Sequence, residues 1–228
     1  MKKPLLIYGA GGHAKTVIDL IRALDTWEIA GIIDDGVPRG TLVMGVPVIG
    51  GADALPECQE QGITAVVNAV GGIGNYQVRW QIFETLIAAN FAFPTLIHPS
   101  AVIESSVHPA DGVQVLAQTY ISSESRIGFG TLINAGVILS HECRIGKCVN
   151  LSPGALLAGN VQIADFAQVG MGATLNLGVK IGSAARIGNS AVVKSDVPDD
   201  GRVYAGTVWP YTNRPERQPA EKPYRKIA

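Results

Sequence analysis

From Ile97 onward the chain keeps a period of six. The positions Ile97, Ile103, Pro109, Val115, Ile121, Ile127, Ile133, Leu139, Ile145, Leu151, Leu157, Ile163, Val169, Leu175, Ile181, Ile187 and Val193 are Ile, Leu or Val in sixteen cases of seventeen. Four residues after each stands a small or β-branched residue, from Ala101 and Val107 through Cys143 to Ala191 and Val197. A strand repeats every two residues and a helix every 3.6, so neither holds a register of six over about 100 residues. Such a repeat is one flat side of a parallel β-solenoid, in which one large and one small inward side chain per side fill a triangular core. Three sides make a coil of eighteen residues, so 97–198 supplies about five and a half coils with no register-shifting insertion. Glycine often follows the large residue (Gly128, Gly146, Gly170, Gly182, Gly188), where the spacing suggests tight turns.

Residues 1–96 follow another rule. Pro4–Tyr8 reads as a buried strand, 13–24 as a helix, 28–33 as a strand and 46–49 as a short strand. Residues 52–61 read as helical, 64–70 as a strand and 77–89 as an amphipathic helix. Strands alternating with helices predict βαβ units and a parallel sheet. The sequence thus divides into a small Rossmann-like α/β domain (1–96), a β-helix (97–198) and a tail (199–228).

Composition narrows the function. Lys+Arg 18 against Asp+Glu 19 gives a net charge of −1, which lacks the electrostatic footprint of a general nucleic-acid binder. No apolar run approaches the roughly 20 residues that span a bilayer. Cys58, Cys143 and Cys148 form no CxxC and no even framework, which fits a reducing compartment. The expectation is a soluble cytoplasmic protein.

Gly9-Ala10-Gly11-Gly12-His13-Ala14 follows the first strand and opens the first helix. Glycines there let backbone N–H groups meet a phosphate at the helix N-terminus. Asp34 and Asp35 end the next strand, where a carboxylate can hold a ribose or base. Read bare, the pattern also fits a nicotinamide dinucleotide fingerprint, and an oxidoreductase domain is the competing class. About 95 residues of α/β structure suit a mononucleotide better, and the array supplies no hydride-acceptor site. Arg79 reads equally as a phosphate contact or a solvated helix residue.

Of four histidines, His98 and His108 suit surface or capping roles. His141 stands at the third position of Leu139-Ser140-His141-Glu142-Cys143-Arg144, near a corner of the triangle, so its side chain faces outward. A corner histidine is either solvated or turned toward a second subunit's coil. Acyl transfer needs a base suited to neutral pH and a donor for the oxyanion, and histidine titrates in that range. Whether Glu142 reaches His141 does not follow from spacing. Cys143 occupies an inward position, which argues against an acyl-enzyme. No His/Asp/Glu cluster has metal-ligand spacing, so no metal is expected, and a zinc-dependent carbonic-anhydrase-like solenoid would need more histidines.

Taken together, IYGAGGHAKTVIDLI, IIDD, GVPVIGG, IHPSAVI and HECRIG before LAGNV resemble one family from residue 4 to about 206. It is the sialic-acid O-acetyltransferase and nucleotide-aminosugar N-acetyltransferase family of left-handed β-helix acyltransferases in bacterial surface-glycan pathways. The closing stretch from Ala205 departs from it. The resemblance implies an acetyl-CoA-dependent N-acetyltransferase acting on a nucleotide-linked amino-deoxysugar, of the UDP-4-amino-4,6-dideoxy type, although the residues leave the base open. It implies a homotrimer and a cytoplasmic enzyme. It makes His141 the proton acceptor and Glu142 its modulator. Gly11, Gly12 and His13 would contact the nucleotide-sugar, Asp34 and Asp35 its base and ribose, and Gly71 would share that crevice. Asn150, Gly159, Met171 and Asn189 would line the cofactor groove, with the Gly159 N–H as oxyanion donor. O-acetylation of a sialic-acid-like sugar is the runner-up, and a nucleotide-sugar sensor with an inert solenoid the non-enzymatic alternative.

Overall fold

The computed structural model describes residues 2–74 and 76–211. Its first part is a five-stranded sheet of order β3-β4-β2-β1-β5, with β1 Lys3–Tyr8, β2 Trp27–Ile33, β3 Leu42–Val43, β4 Val46–Gly50 and β5 Val66–Asn68. All neighbours are parallel except β3, which forms an antiparallel edge hairpin with β4. This hairpin is absent from the sequence reading, because a two-residue strand carries no period. Helix α1 (Gly12–Leu24) buries Val17, Ile18, Leu20 and Ile21 against one face of the sheet. The stretch expected as one helix over 52–61 divides into a 3₁₀ turn, Ala52–Ala54, and α2, Leu55–Glu60. Helix α3 (Tyr76–Ala88) buries Arg79, Phe83 and Leu86, while Val78 and Ile87 are exposed.

From Leu96 the chain winds as a left-handed parallel β-helix whose two-residue rungs stack into three ladders. The first face runs from Leu96–Ile97 to Arg202–Val203, the second from Val102–Ile103 to Val208–Trp209, and the third from His108–Pro109 to Lys180–Ile181. The hexad positions form one continuous core, buried from Val113 onward and partly buried at Ile97, Ala101, Ile103 and Pro109 where the array begins. Small polar residues at the inward sites stay satisfied. Thr119, Ser125 and Thr131 donate their hydroxyls to corner carbonyls of the next coil, those of Asn134, Ser140 and Gly146.

Two expectations about the array need correction. The ladders do not stop at 198: two further rungs reach Trp209, and residues 212–228 of the expected tail lie outside the described residues. The last coil is also shortened. Ile181 pairs with Val197 and Ile187 with Val203, sixteen residues apart where earlier rungs pair eighteen apart. The glycines after the large residues serve close stacking rather than turn conformation. A Cβ on Gly128 would lie 2.5 Å from the Gly146 carbonyl carbon, and one on Gly170 2.6 Å from the Asn189 nitrogen. The positive φ belongs to the middle of each corner, at Gly136 (66°), Gly154 (69°) and Gly172 (62°), and also at Glu142 (59°) and Asn160 (55°).

The α/β part docks on the first face through a polar network. Gln114 on that face meets His13 Nε2 at 2.9 Å and donates its Nε2 to the Asn68 carbonyl at 2.8 Å. Asn68 in turn donates to the Arg79 carbonyl at 2.9 Å. Arg79 is 1% exposed, and its guanidinium donates to the carbonyls of Asn68, Val70 and Gly130 and lies over the Phe83 ring. It is neither a solvated residue nor a phosphate contact. Burial without a carboxylate partner pulls its pKa down to about 10. At the adjoining corner Phe83 and Phe93 meet Phe129 edge to face.

Two outcomes follow. Gly128→Ala should cost about 3 kcal/mol by driving a methyl into backbone, whereas Gly136→Ala, with open space around it, should cost only about 1 kcal/mol for its positive φ. Urea denaturation compares them; equal costs would contradict the stacking account. The second concerns His13, whose pKa burial lowers to about 4 from 6.5. Below pH 6.5 the unfolded chain therefore binds the proton first, so the native state loses stability as pH falls from about 6.5 to about 4. The loss amounts to about 3 kcal/mol. His13→Gln should remove that share of the acid dependence, read from denaturation midpoints across the same range.

Candidate active site

His141 lies at the corner between the second and third faces, in the turn joining Ile138–Leu139 to Arg144–Ile145. The coils on both sides pin this turn. Glu142 N–H donates to the Ser123 carbonyl at 2.9 Å, Cys143 N–H to Ser125 Oγ at 3.2 Å, and Asn160 N–H to the His141 carbonyl at 2.8 Å. Imidazole Nδ1 is 3.0 Å from Glu142 Oε2. A carboxylate there takes the proton on Nδ1, which leaves Nε2 with its lone pair free. His141 and Glu142 side chains are more than half exposed, so this corner is open to a substrate.

The imidazole rests on Gly159, one coil further along the same corner. A Cβ on Gly159 would fall 2.6 Å from Nε2 and 2.5 Å from Cε1. Only glycine leaves room for the ring. The Gly159 N–H has no hydrogen-bond partner among the described residues. At three other corners the residue one coil later supplies an acceptor: Asp165 Oδ1 takes Lys147 N–H, Asn189 Oδ1 takes Met171 N–H and Asp199 Oδ1 takes Ser183 N–H. Above Gly159 that place is held by Leu177, which has no acceptor and is 70% exposed. The array thus leaves one unclaimed donor beside the free imidazole nitrogen. Leu177 is a residue the sequence reading missed; its signal is an apolar side chain at the repeat position where Asp165 and Asn189 each accept from a corner N–H.

Cys143 donates its thiol to the Ala158 carbonyl at 3.4 Å, and burial raises its pKa. It is a core residue. His98 Nδ1 accepts from Ser100 N–H at 3.1 Å in a local turn, and His108 sits exposed on a third-face rung.

The other groove-lining residues are not gathered at this corner. Met171 and Asn189 stand at the corner between the first and second faces. Asn150 is on the first face, 2% exposed and covered by Gly72, whose Cβ would lie 2.4 Å from Asn150 Oδ1. It packs the contact between the two parts and does not line an open groove.

In the α/β part, Gly11 caps α1 in an extended conformation with no side-chain cap and no acid in the first turn. Cβ atoms on Gly11 or Gly12 would meet nothing within 4 Å, so the space beside this helix start is open. Asp34 Oδ2 accepts from Ala10 N–H at 2.7 Å and Oδ1 from Gly36 N–H at 2.9 Å. Asp35 accepts from Tyr8 Oη at 2.6 Å and Ala52 N–H at 2.8 Å. The two carboxylates therefore brace the loops around the crevice, and together with burial they push the Tyr8 phenol well above its ordinary pKa. Gly71 closes the crevice, its Cβ direction 3.9 Å from His13. The His13 ring itself turns away from the crevice to Gln114. Among the described residues no group of three or more His, Cys, Asp or Glu could hold a metal ion.

Comparison with known proteins places the chain in a family. The PglD N-terminal domain family matches residues 4–86. A perosamine N-acetyltransferase from Caulobacter crescentus, solved with CoA and GDP-perosamine, is 36% identical, with a TM-score of 0.83, over 89% of this chain and 93% of that one. The acetyltransferase domain of PglB from Neisseria gonorrhoeae, solved with acetyl coenzyme A, is 33% identical with a TM-score of 0.82, over 91% of this chain and 98% of that one. A Bacillus subtilis UDP-N-acetylbacillosamine N-acetyltransferase is 32% identical over 116 residues, and the match spans about half of each protein, 50% and 52%. The chain belongs to the nucleotide-aminosugar N-acetyltransferase family of left-handed β-helix acyltransferases.

Proposed function

We propose that this chain transfers the acetyl group of acetyl-CoA to the amine of a nucleotide-linked amino-deoxysugar, with His141 as general base. The observation that carries this reading is the pairing at one corner of a lone-pair nitrogen, His141 Nε2, with an unclaimed backbone donor, Gly159 N–H. The sugar amine, neutral when it reacts, attacks the thioester carbonyl, and the oxygen that gains charge takes the Gly159 N–H. His141 Nε2 accepts the proton from the nitrogen, and Glu142 stabilises the imidazolium through Nδ1–H. Collapse of the tetrahedral intermediate breaks the C–S bond, and the imidazolium returns its proton to the departing CoA thiolate. A donor aimed at the oxyanion contributes about 10²–10³-fold and the base about 10²–10⁴-fold.

The glycine crevice in 1–96 holds the nucleotide in this reading, and the working form is a homotrimer in the cytoplasm. Three features support the trimer. The crevice belongs to the part covering the first face, whereas His141 lies at the opposite corner, so one chain alone keeps substrate and base apart. The second face is uncovered and carries a row of apolar side chains, Val102 at 57%, Ile138 at 41%, Leu156 at 40% and Val208 at 47% exposure; patches of this kind mark contact surfaces. That face also separates the His141–Gly159 corner from the Met171–Asn189 corner. Turning three second faces toward a common axis sets one chain's His141 corner beside its neighbour's Met171 corner and crevice. The CoA groove then lies between chains.

His141→Ala should lower turnover about 10²–10⁴-fold with little change in substrate affinity or melting temperature, since the ring is outside the core. Glu142→Gly should be milder in turnover and no less stable, because the positive φ at 142 suits glycine. Thiol release from acetyl-CoA across a panel of nucleotide-aminosugars reads both. A His141→Ala variant that keeps most of its turnover would place the base elsewhere.

A further inference from the structure

Beyond the acidic pair, at the carboxyl ends of β2 and β4, a cavity of about 420 Å³ opens beside the glycine crevice. In open α/β sheets this is where the base of a bound nucleotide comes to rest, outside the strand ends. Its lining mixes Arg39 with Asp53 and Glu57, around the Gly50–Gly51 backbone and Ile49. Asp34 and Asp35 also touch it, but their oxygens already accept from Ala10, Gly36, Tyr8 and Ala52. Arg39 and Asp53 have no side-chain partner among the described residues, and Glu57 has only a long contact of 3.4 Å from Gln61 Nε2. The pocket thus offers one cation and two carboxylates with their hydrogen-bonding capacity unspent.

We propose that this cavity selects guanine, so that the substrate is a guanosine diphosphate sugar. The inference rests on the reading that the α/β part holds a nucleotide. Guanine presents two adjacent donors, N1–H and the 2-amino group, which match the two oxygens of one carboxylate. Its other edge presents two acceptors, O6 and N7, which match the fork of an arginine. Uracil presents a single N3–H between two carbonyl oxygens, so a carboxylate set against it gains one bond and meets two like partial charges. Cytosine and adenine each offer one amino group flanked by an acceptor. A pocket with two free carboxylates and one guanidinium is therefore matched at both edges only by guanine. The family includes both guanosine and uridine diphosphate sugars, in the Caulobacter and Bacillus relatives, and leaves the base open; the pocket chemistry favours the purine.

Calorimetry on the full-length protein with GDP, IDP, UDP and CDP separates these readings. GDP is expected to bind at least about tenfold more tightly than UDP or CDP. IDP, which lacks only the 2-amino group, should lose about tenfold relative to GDP, as for one bidentate contact. The double variant Asp53→Asn, Glu57→Gln changes two exposed side chains and should keep its melting temperature. It should lose about tenfold for GDP, bind UDP as before and no longer distinguish GDP from IDP. UDP binding as tightly as GDP, or an unchanged GDP affinity in the double variant, would overturn the guanine assignment while leaving a nucleotide site in place. If none of the four diphosphates binds, the nucleotide reading falls and the base assignment with it.

Discussion

The close stacking of eighteen-residue coils governs everything else in this molecule. Each rung pairs in register with the one eighteen residues on, so a side chain's neighbours are set by arithmetic along the chain. His141 rests on Gly159 because they are one coil apart, and the ring fits because Gly159 has no Cβ. The same stacking decides which corner N–H groups are free. Asp165, Asn189 and Asp199 close three of them, and Leu177 leaves the one above His141 open. The candidate catalytic corner differs from its neighbours by residue type at two hexad positions, with no change in backbone path.

A second constraint fixes how the α/β part meets the solenoid. Asn68, Gln114 and Arg79 form a buried polar junction in which the carbonyls of Asn68, Val70 and Gly130 find donors. Such a junction tolerates little sliding, because each shift would strand a buried carbonyl or a buried guanidinium. His13 ties the helix below the glycine loop to the same junction. The crevice is therefore held over the first face, and the second face is left for contact between chains. In the proposed trimer these two facts set the distance between nucleotide and base.

Much of this was legible in the residues. The hexad spacing identifies the solenoid and the outward corner at 141, and GAGGH marks the strand–loop–helix unit around Gly11. The rest depended on contacts that spacing does not encode. Gln114, Asn150, Gln168 and Arg186 occupy the outward hexad position of the first face, and nothing in a symmetric repeat says which of three faces will be covered. Arg79 reads equally as a phosphate contact or a solvated helix residue, yet it is buried because a row of backbone carbonyls can replace a carboxylate as its partner. The stacking glycines suggested turns because glycine has two uses, close approach and positive φ, and sequence alone does not separate them. The two-residue shortening after Val193 kept Val197 inward, so the hexad count ran through it unnoticed.

The central claim is that each active site takes its nucleotide crevice from one chain and His141 from the neighbour. Complementation tests it most directly. Gly11→Val, which blocks the crevice, and His141→Ala, which removes the base, are unfolded together, refolded as mixed trimers and assayed for acetyl-CoA-dependent turnover. Every chain in the mixture carries one defect, so a site confined to a single chain is dead throughout. A site shared between chains is intact wherever an unaltered crevice meets an unaltered His141. The account predicts that an equal mixture regains about a quarter of wild-type turnover, the share of chain-to-chain contacts that join an unaltered crevice to an unaltered His141 in a cyclic trimer, while each variant refolded alone stays near its own low rate. A mixture no more active than the two separate variants, with mixed trimers shown to have formed, would contradict it.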